Sequence, residues 1–132
     1  MSYTILIVDD NPFVRLALRD RLERTTGWQV CGQAENGKVA VEKVRALHPD
    51  VVILDLQMPV MNGLEAAREI RAVAPGTEMI MFTMHSSEQL LKEARAAGIR
   101  EVVSKSVGTG EHLLAVLGNL FVARRMSRSA AK

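Results

Sequence analysis

Short apolar runs alternate with amphipathic stretches from one end of this chain to the other. The apolar runs are Thr4–Val8, Gln29–Ala34, Val51–Leu54, Met79–Phe82 and Glu101–Val103, rich in Val, Ile, Leu or Met. Runs that are apolar at successive positions fit strands covered on both faces, as in a parallel sheet. The stretches between them carry helix punctuation. Asn11-Pro12 supplies an N-cap and a proline for the first helical position, followed by Val14, Leu18 and Leu22 at four-residue spacing and Gly27 as a stop. Asn36 caps a second helix with Ala40, Val44 and Leu47 on one face and Pro49 just past its end. Asn62 caps a third, whose inner face is Leu64, Ala67, Ile70 and Ala74 and whose stop is Pro75-Gly76. Ser86 or Ser87 opens a fourth, burying Leu90, Ala94 and Ala97 before Gly98, and a fifth runs from about Glu111 to Arg125. Strands alternating with helices predict a doubly wound α/β domain around a five-stranded parallel sheet.

Composition narrows the class. The length of 132 residues fits one domain, with 48% apolar residues but only 4% aromatic, so the core must be aliphatic. The formal net charge of +2 is too small to argue for nucleic acid, and its basic excess sits mainly between Arg124 and Arg128. The single cysteine, Cys31, excludes an intrachain disulfide, which agrees with a reducing cytoplasm, and it reads as a small buried hydrophobe. Neither a signal peptide nor a membrane-length apolar run is expected. The Met residues at 79, 81 and 84 are expected in the core. The fifth helix carries Leu113, Leu114, Val116, Leu117, Leu120 and Phe121. That arc is wider than the ~100° stripe a core needs, which predicts exposed apolar surface around Leu114 or Phe121. Residues 126–132 read as a basic tail or the start of a linker after a domain spanning 1–125.

The chemistry collects where strands end. The first strand ends in Asp9-Asp10, the third in Asp55, the fourth in Thr83 and the fifth in Ser104-Lys105. Open α/β sheets bind ligands outside the carboxyl ends of their strands. The second strand ends in Ala34-Glu35 with nothing comparable, as expected of an edge strand in the flavodoxin-like order 2-1-3-4-5. That order sets the first and third strands side by side and brings Asp9, Asp10 and Asp55 together. Crowded carboxylates repel, and a divalent cation removes the conflict. Hard oxygen ligands suit Mg²⁺, with Mn²⁺ as a substitute. Lys105 and the Thr83 hydroxyl, or a backbone N–H, can then hold phosphoryl oxygens while Asp55 acts as nucleophile and forms an acyl phosphate.

These residues resemble the receiver domain of two-component response regulators. The resemblance runs through Ile5-Leu6-Ile7-Val8-Asp9-Asp10, Asp55-Leu56-Gln57-Met58-Pro59, Met61-Asn62-Gly63, Ala97-Gly98 and Lys105, and covers about residues 3–123. It implies that Asp55 takes a phosphoryl group from a histidine kinase or a phosphotransfer protein. It implies Mg²⁺ ligation by Asp10, Asp55 and the backbone carbonyl of Gln57, with Asp9 assisting, and a signalling module rather than an enzyme beyond self-catalysed transfer and dephosphorylation. It also implies that the face formed by the fourth helix, fifth strand and fifth helix responds to phosphorylation, often by pairing two copies. Gln57 and His85 flank the site, and the resemblance links such positions to the lifetime of the phosphoryl group; His85 also reads as a plain surface residue. His48 and His112 read as structural or solvated.

Two departures stand out. Lysine is usually followed by proline in receivers, and here Ser106 follows Lys105, so a trans peptide is expected. Receivers usually carry Tyr or Phe three residues before the lysine, and here Val102 stands there, so the usual aromatic relay is not expected. The segment Ala97–Ser106 resembles receivers of the nitrate-regulator type, which carry a C-terminal helix-turn-helix. The chain ends too soon to hold one, so DNA contact by this chain is not expected, although a receiver fragment of such a transcription factor is an alternative. An aspartyl-nucleophile phosphatase would share Asp55, Thr83 and Lys105, but it needs an acid two positions after the nucleophile, where Gln57 stands.

Overall fold

A computed structural model describes residues 3–25, 27–106 and 110–130. Strands and helices alternate as β1 (Tyr3–Val8), α1 (Pro12–Glu23), β2 (Trp28–Ala34), α2 (Gly37–Leu47), β3 (Val51–Leu54), α3 (Gly63–Val73), β4 (Glu78–Thr83), α4 (Glu88–Ala96), β5 (Glu101–Ser104) and α5 (Glu111–Ala130). The strands form one parallel sheet in the order β2-β1-β3-β4-β5. The continuous apolar runs serve two cores at once, because alternate side chains leave opposite faces of a strand. Leu6, Val8, Val52, Leu54, Met79 and Met81 pack with the α2, α3 and α4 residues Val44, Ile70 and Ala94. Ile5, Ile7, Val51, Ile53, Ile80 and Phe82 pack on the other side with Leu22 of α1 and Leu113, Leu117 and Leu120 of α5.

The caps expected from the sequence are made. Asn11 accepts from the N–H groups of Phe13 and Val14, Asn36 from Val39, and Asn62 from Glu65 in a reciprocal capping box. Of the two serines, Ser87 is the cap of α4, accepting from Leu90. Edge strand β2 slips register opposite Ile5 and Leu6, leaving Cys31 as the extra residue, half-buried, with burial pushing its thiol pKa up.

Several expectations change. Helix α5 continues through Ala130 instead of ending near Arg125, so 126–130 are helical; residues 131 and 132 lie outside the described residues. The wide apolar arc of α5 is largely covered. Leu113, Val116, Leu117, Leu120 and Phe121 are all buried. Phe121 stacks on Tyr3 with ring centroids 4.0 Å apart and meets Trp28 edge-on at 5.4 Å, so β1 and β2 cover the side of α5 that the sheet centre leaves open. Leu114 is half-buried and lines an apolar groove of about 240 Å³ with Val14, Ala17 and Leu18, facing α1. Among the described residues, the large apolar side chains exposed on α5 are instead Val122 and Met126. Met79 and Met81 are core, but Met84 is exposed because the strand has ended before it, and Leu47 is exposed at the end of α2. Among the described residues, no helix is long and apolar enough to cross a membrane.

Candidate functional site

The sheet order sets the geometry. The Asp9 N–H donates to Ala34 O and the Asp55 N–H to Val8 O, each at 3.0 Å, so both acids leave the sheet beside one another. Asp9, Asp10 and Asp55 each offer a carboxylate oxygen, and these oxygens lie within 4.8 Å of one another. Asp9 is buried, Asp55 is half-buried and Asp10 is open to solvent. Across the sheet, the Lys105 N–H donates to Thr83 O at 2.9 Å and so continues the β4–β5 ladder past its last pair. Its ammonium donates to Oδ2 of Asp9 at 2.5 Å and to Oδ2 of Asp55 at 3.1 Å. The Lys105–Ser106 peptide is trans.

The electrostatics follow from burial and pairing. Burial pushes the Asp9 carboxyl above its ordinary pKa, and the Asp55 charge adds to this, against the Lys105 hydrogen bond and the Asn11 N–H on Oδ1. Burial alone would lower the Lys105 pKa, but its hydrogen bonds to Asp9 and Asp55 and their negative charges outweigh that and raise it. Lys105 is therefore a cation at neutral pH. The donor set of the triad contains only hard oxygens around an opening to water, which fits a small divalent cation. The Thr83 hydroxyl is fully buried and accepts the His85 N–H at 3.3 Å. Gln57 and His85 are exposed beside the cleft, His112 is exposed, and His48 closes α2 in a left-handed conformation ahead of Pro49.

The loop after Asp55 is tightly built. The Asp55 Oδ1 accepts the Leu56 N–H at 2.7 Å, and the Gly63 N–H donates to Leu56 O at 2.8 Å. A β-carbon on Gly63 would fall 2.1 Å from the Asp55 carbonyl oxygen, which explains glycine there. Val60 in the same loop has φ of +69° with its side chain exposed, a conformation that costs a β-branched residue about 1–2 kcal/mol.

One participant was not read from the sequence. Arg15 donates from Nη1 to the Asp9 carbonyl at 2.6 Å and from Nε to Oε1 of Gln33 at 3.2 Å. No local signal marks it: a cation near a helix start opposes the helix dipole by only about 0.3–1 kcal/mol, too little to demand a partner.

Residues 5–117 match the response regulator receiver domain. The chain belongs to the receiver family of two-component response regulators. It is similar to the chemotaxis protein CheY of Thermotoga maritima, 38% identical over 105 residues that cover 80% of this chain and 87% of that protein. It is also similar to a protein-glutamate methylesterase/protein-glutamine glutaminase of Methanosarcina acetivorans, 45% identical over 104 residues, which are 76% of this chain but 29% of that protein. Among solved structures, a LuxR-family two-component response regulator from Aurantimonas sp. SI85-9A1 superposes with a TM-score of 0.84 at 29% identity, covering 100% of both chains. The CheX–CheY–BeF3–Mg²⁺ complex of Borrelia burgdorferi superposes with a TM-score of 0.80 at 27% identity over 89% of each chain. Asp9, Asp10 and Asp55 thus form the acidic phosphoacceptor site of a receiver, a signalling switch rather than a classical enzyme. A receiver of this kind works with a kinase or phosphotransfer partner.

Proposed function

We propose that Asp55 is the phosphoacceptor, with residues 1–125 acting as the receiver unit and residues from 126 onward as a basic extension. The observation that carries this reading is Asp55 lying half-buried at the end of β3, within reach of both Asp10 and the Lys105 ammonium. An Asp55 carboxylate oxygen attacks phosphorus in line, the bond from phosphorus to the donor's imidazole nitrogen breaks, and the ring, protonated on its other nitrogen, takes the electron pair and leaves as neutral imidazole. Asp10, Asp55 and the Gln57 backbone carbonyl would hold Mg²⁺ or Mn²⁺, with Asp9 assisting. When bound, the cation neutralises the crowded carboxylates and draws a phosphoryl oxygen to the cluster. Lys105, already charged beside Asp55, donates to a second oxygen, and the Thr83 hydroxyl or a backbone N–H to a third. Asp10→Asn should weaken Mg²⁺ binding at least about tenfold by calorimetry, the least that disturbing a metal's ligand set usually costs. Glu35→Gln, a nearby control, should leave it unchanged. An Asp10→Asn protein with wild-type affinity would remove the metal assignment.

On the output side, the same reading extends to self-association through α4, β5 and α5. Its supporting observation is an open groove between α4 and β5, lined by Leu91, Ala94, Ile99 and Val102 together with the charged Arg95, Arg100 and Glu101. Sedimentation should show a heavier species with beryllofluoride and Mg²⁺ than without, since the bound state must favour one conformer by a few kcal/mol. An unchanged mass under both conditions excludes self-association as the output.

A further inference from the structure

A second network borders the acid cluster on the side of the edge strand. Arg15 bonds the Asp9 carbonyl and Gln33 of β2, while the Gln33 backbone carbonyl accepts from Nζ of Lys43 on α2. The network lines a polar cleft of about 230 Å³. Arg15 stands at the end of the first turn of α1, beside the acid pair Asp9-Asp10 that precedes the helix. A guanidinium there, with two of its nitrogens fixed on acceptors of different elements, has a geometric task.

The bond it makes defines that task. The Asp9 carbonyl shares a rigid peptide plane with the Asp10 N–H. The Asp9 N–H is already held by Ala34 O at 3.0 Å, and Oδ1 of Asp9 accepts the Asn11 N–H at 2.9 Å. Rotation of the Asp9–Asp10 peptide is the freedom these two bonds leave, and the Arg15 bond removes it. Asp10 depends on this, because its exposed carboxylate makes no side-chain hydrogen bond or ion pair among the described residues. Its direction is inherited from its backbone.

We propose that Arg15 is a positioning residue for the cation site, holding the Asp9 carbonyl against β2 so that Asp10 enters the cluster in a fixed direction. This rests on the metal reading above. Charge and position act on cation affinity with opposite signs. Deleting a positive charge near the cluster should tighten Mg²⁺ binding, whereas loosening the Asp10 peptide should weaken it. Calorimetric titration of the full chain with Mg²⁺, and separately with Mn²⁺, reads the sign directly. Arg15→Ala should weaken binding about tenfold, the scale on which groups that orient metal ligands act. Gln33→Leu, which keeps the arginine charge but removes one of its two holds, should weaken binding in the same direction by less. Melting in EDTA separates stability from positioning, since a purely structural role lowers Tm without moving the dissociation constant. Tighter binding in Arg15→Ala, or unchanged affinity with only a lower Tm, overturns the proposal. Should Arg15→Ala fail to fold, Gln33→Leu decides: weaker cation binding supports positioning, and wild-type affinity overturns it. A wild-type chain that binds neither cation overturns the metal reading and this proposal together, whereas a binding wild type with no change in either variant overturns this proposal alone.

Discussion

Incubated with acetyl phosphate and Mg²⁺, the wild-type chain should gain one phosphoryl group by mass spectrometry, and Asp55→Asn should gain none. The amide nitrogen and oxygen of asparagine are poor nucleophiles, and the substitution also removes one charge from the cation site. The shape of the side chain is kept, so the loss is chemical rather than structural. Lys105 retains its 2.5 Å partner Asp9, and the Leu56 N–H retains an oxygen to which it can donate. One source of repulsion is also relieved, because the Asp55 charge is among the influences that raise the Asp9 pKa. The mutant should therefore melt near the wild-type temperature in EDTA while remaining unlabelled. An acyl phosphate is cleaved by hydroxylamine, so wild-type label that survives hydroxylamine, or equal labelling of the mutant, would mean that another residue is the acceptor.

Gly63→Ala should be the most damaging small substitution near the site. The three atoms nearest the added carbon would all be backbone: the Asp55 carbonyl oxygen at 2.1 Å, its carbon at 3.0 Å and the Leu56 Cα at 3.1 Å. No rotamer change relieves such a clash. Either α3 must withdraw, stretching the Gly63 N–H to Leu56 O hydrogen bond, or the loop carrying Asp55 must move. Overpacking of this kind costs about 3 kcal/mol, equivalent to a fall in Tm of about 10 °C for a domain of this size. The displaced loop should also slow labelling of Asp55 by acetyl phosphate. Gly76→Ala is the matched control, since its β-carbon meets nothing within 4 Å and its effect should stay within about 0.5 kcal/mol. A Gly63→Ala chain with wild-type melting and labelling would show that the loop yields without cost, and that the close approach does not hold Asp55 in place.

Local pattern is enough to mark the elements and the edge of the sheet where the chemistry gathers. Strands buried on both faces must be apolar at successive positions, so β1, β3 and β4 are visible as unbroken runs. Helix starts leave N–H groups that a neighbouring side chain must satisfy, so Asn11, Asn36 and Asn62 mark them locally. The acids, the threonine and the lysine each follow an apolar run, and in a parallel sheet all such positions lie on one side. Local rules weakened where elements end: Leu47 and Met84 keep the apolar character of their segments but sit where the covering layer stops.

Which groups meet depends on packing. Lys105 reaches Asp9 across 96 residues of sequence and Asp55 across 50, and only the packed strand order lets one ammonium bridge both. The arc of α5 predicted an exposed apolar face because helical periodicity describes one helix without its neighbours. Tyr3 and Trp28, from strands distant in sequence, cover Phe121. Arg15 reads as an ordinary helix arginine until β2 is placed beside β1 and puts Gln33 and the Asp9 carbonyl on either side of it. Periodicity and capping act over a few residues and survive in one dimension. Pairing of charges, closure of a core and the aim of a carboxylate depend on distances that exist only after the chain has folded.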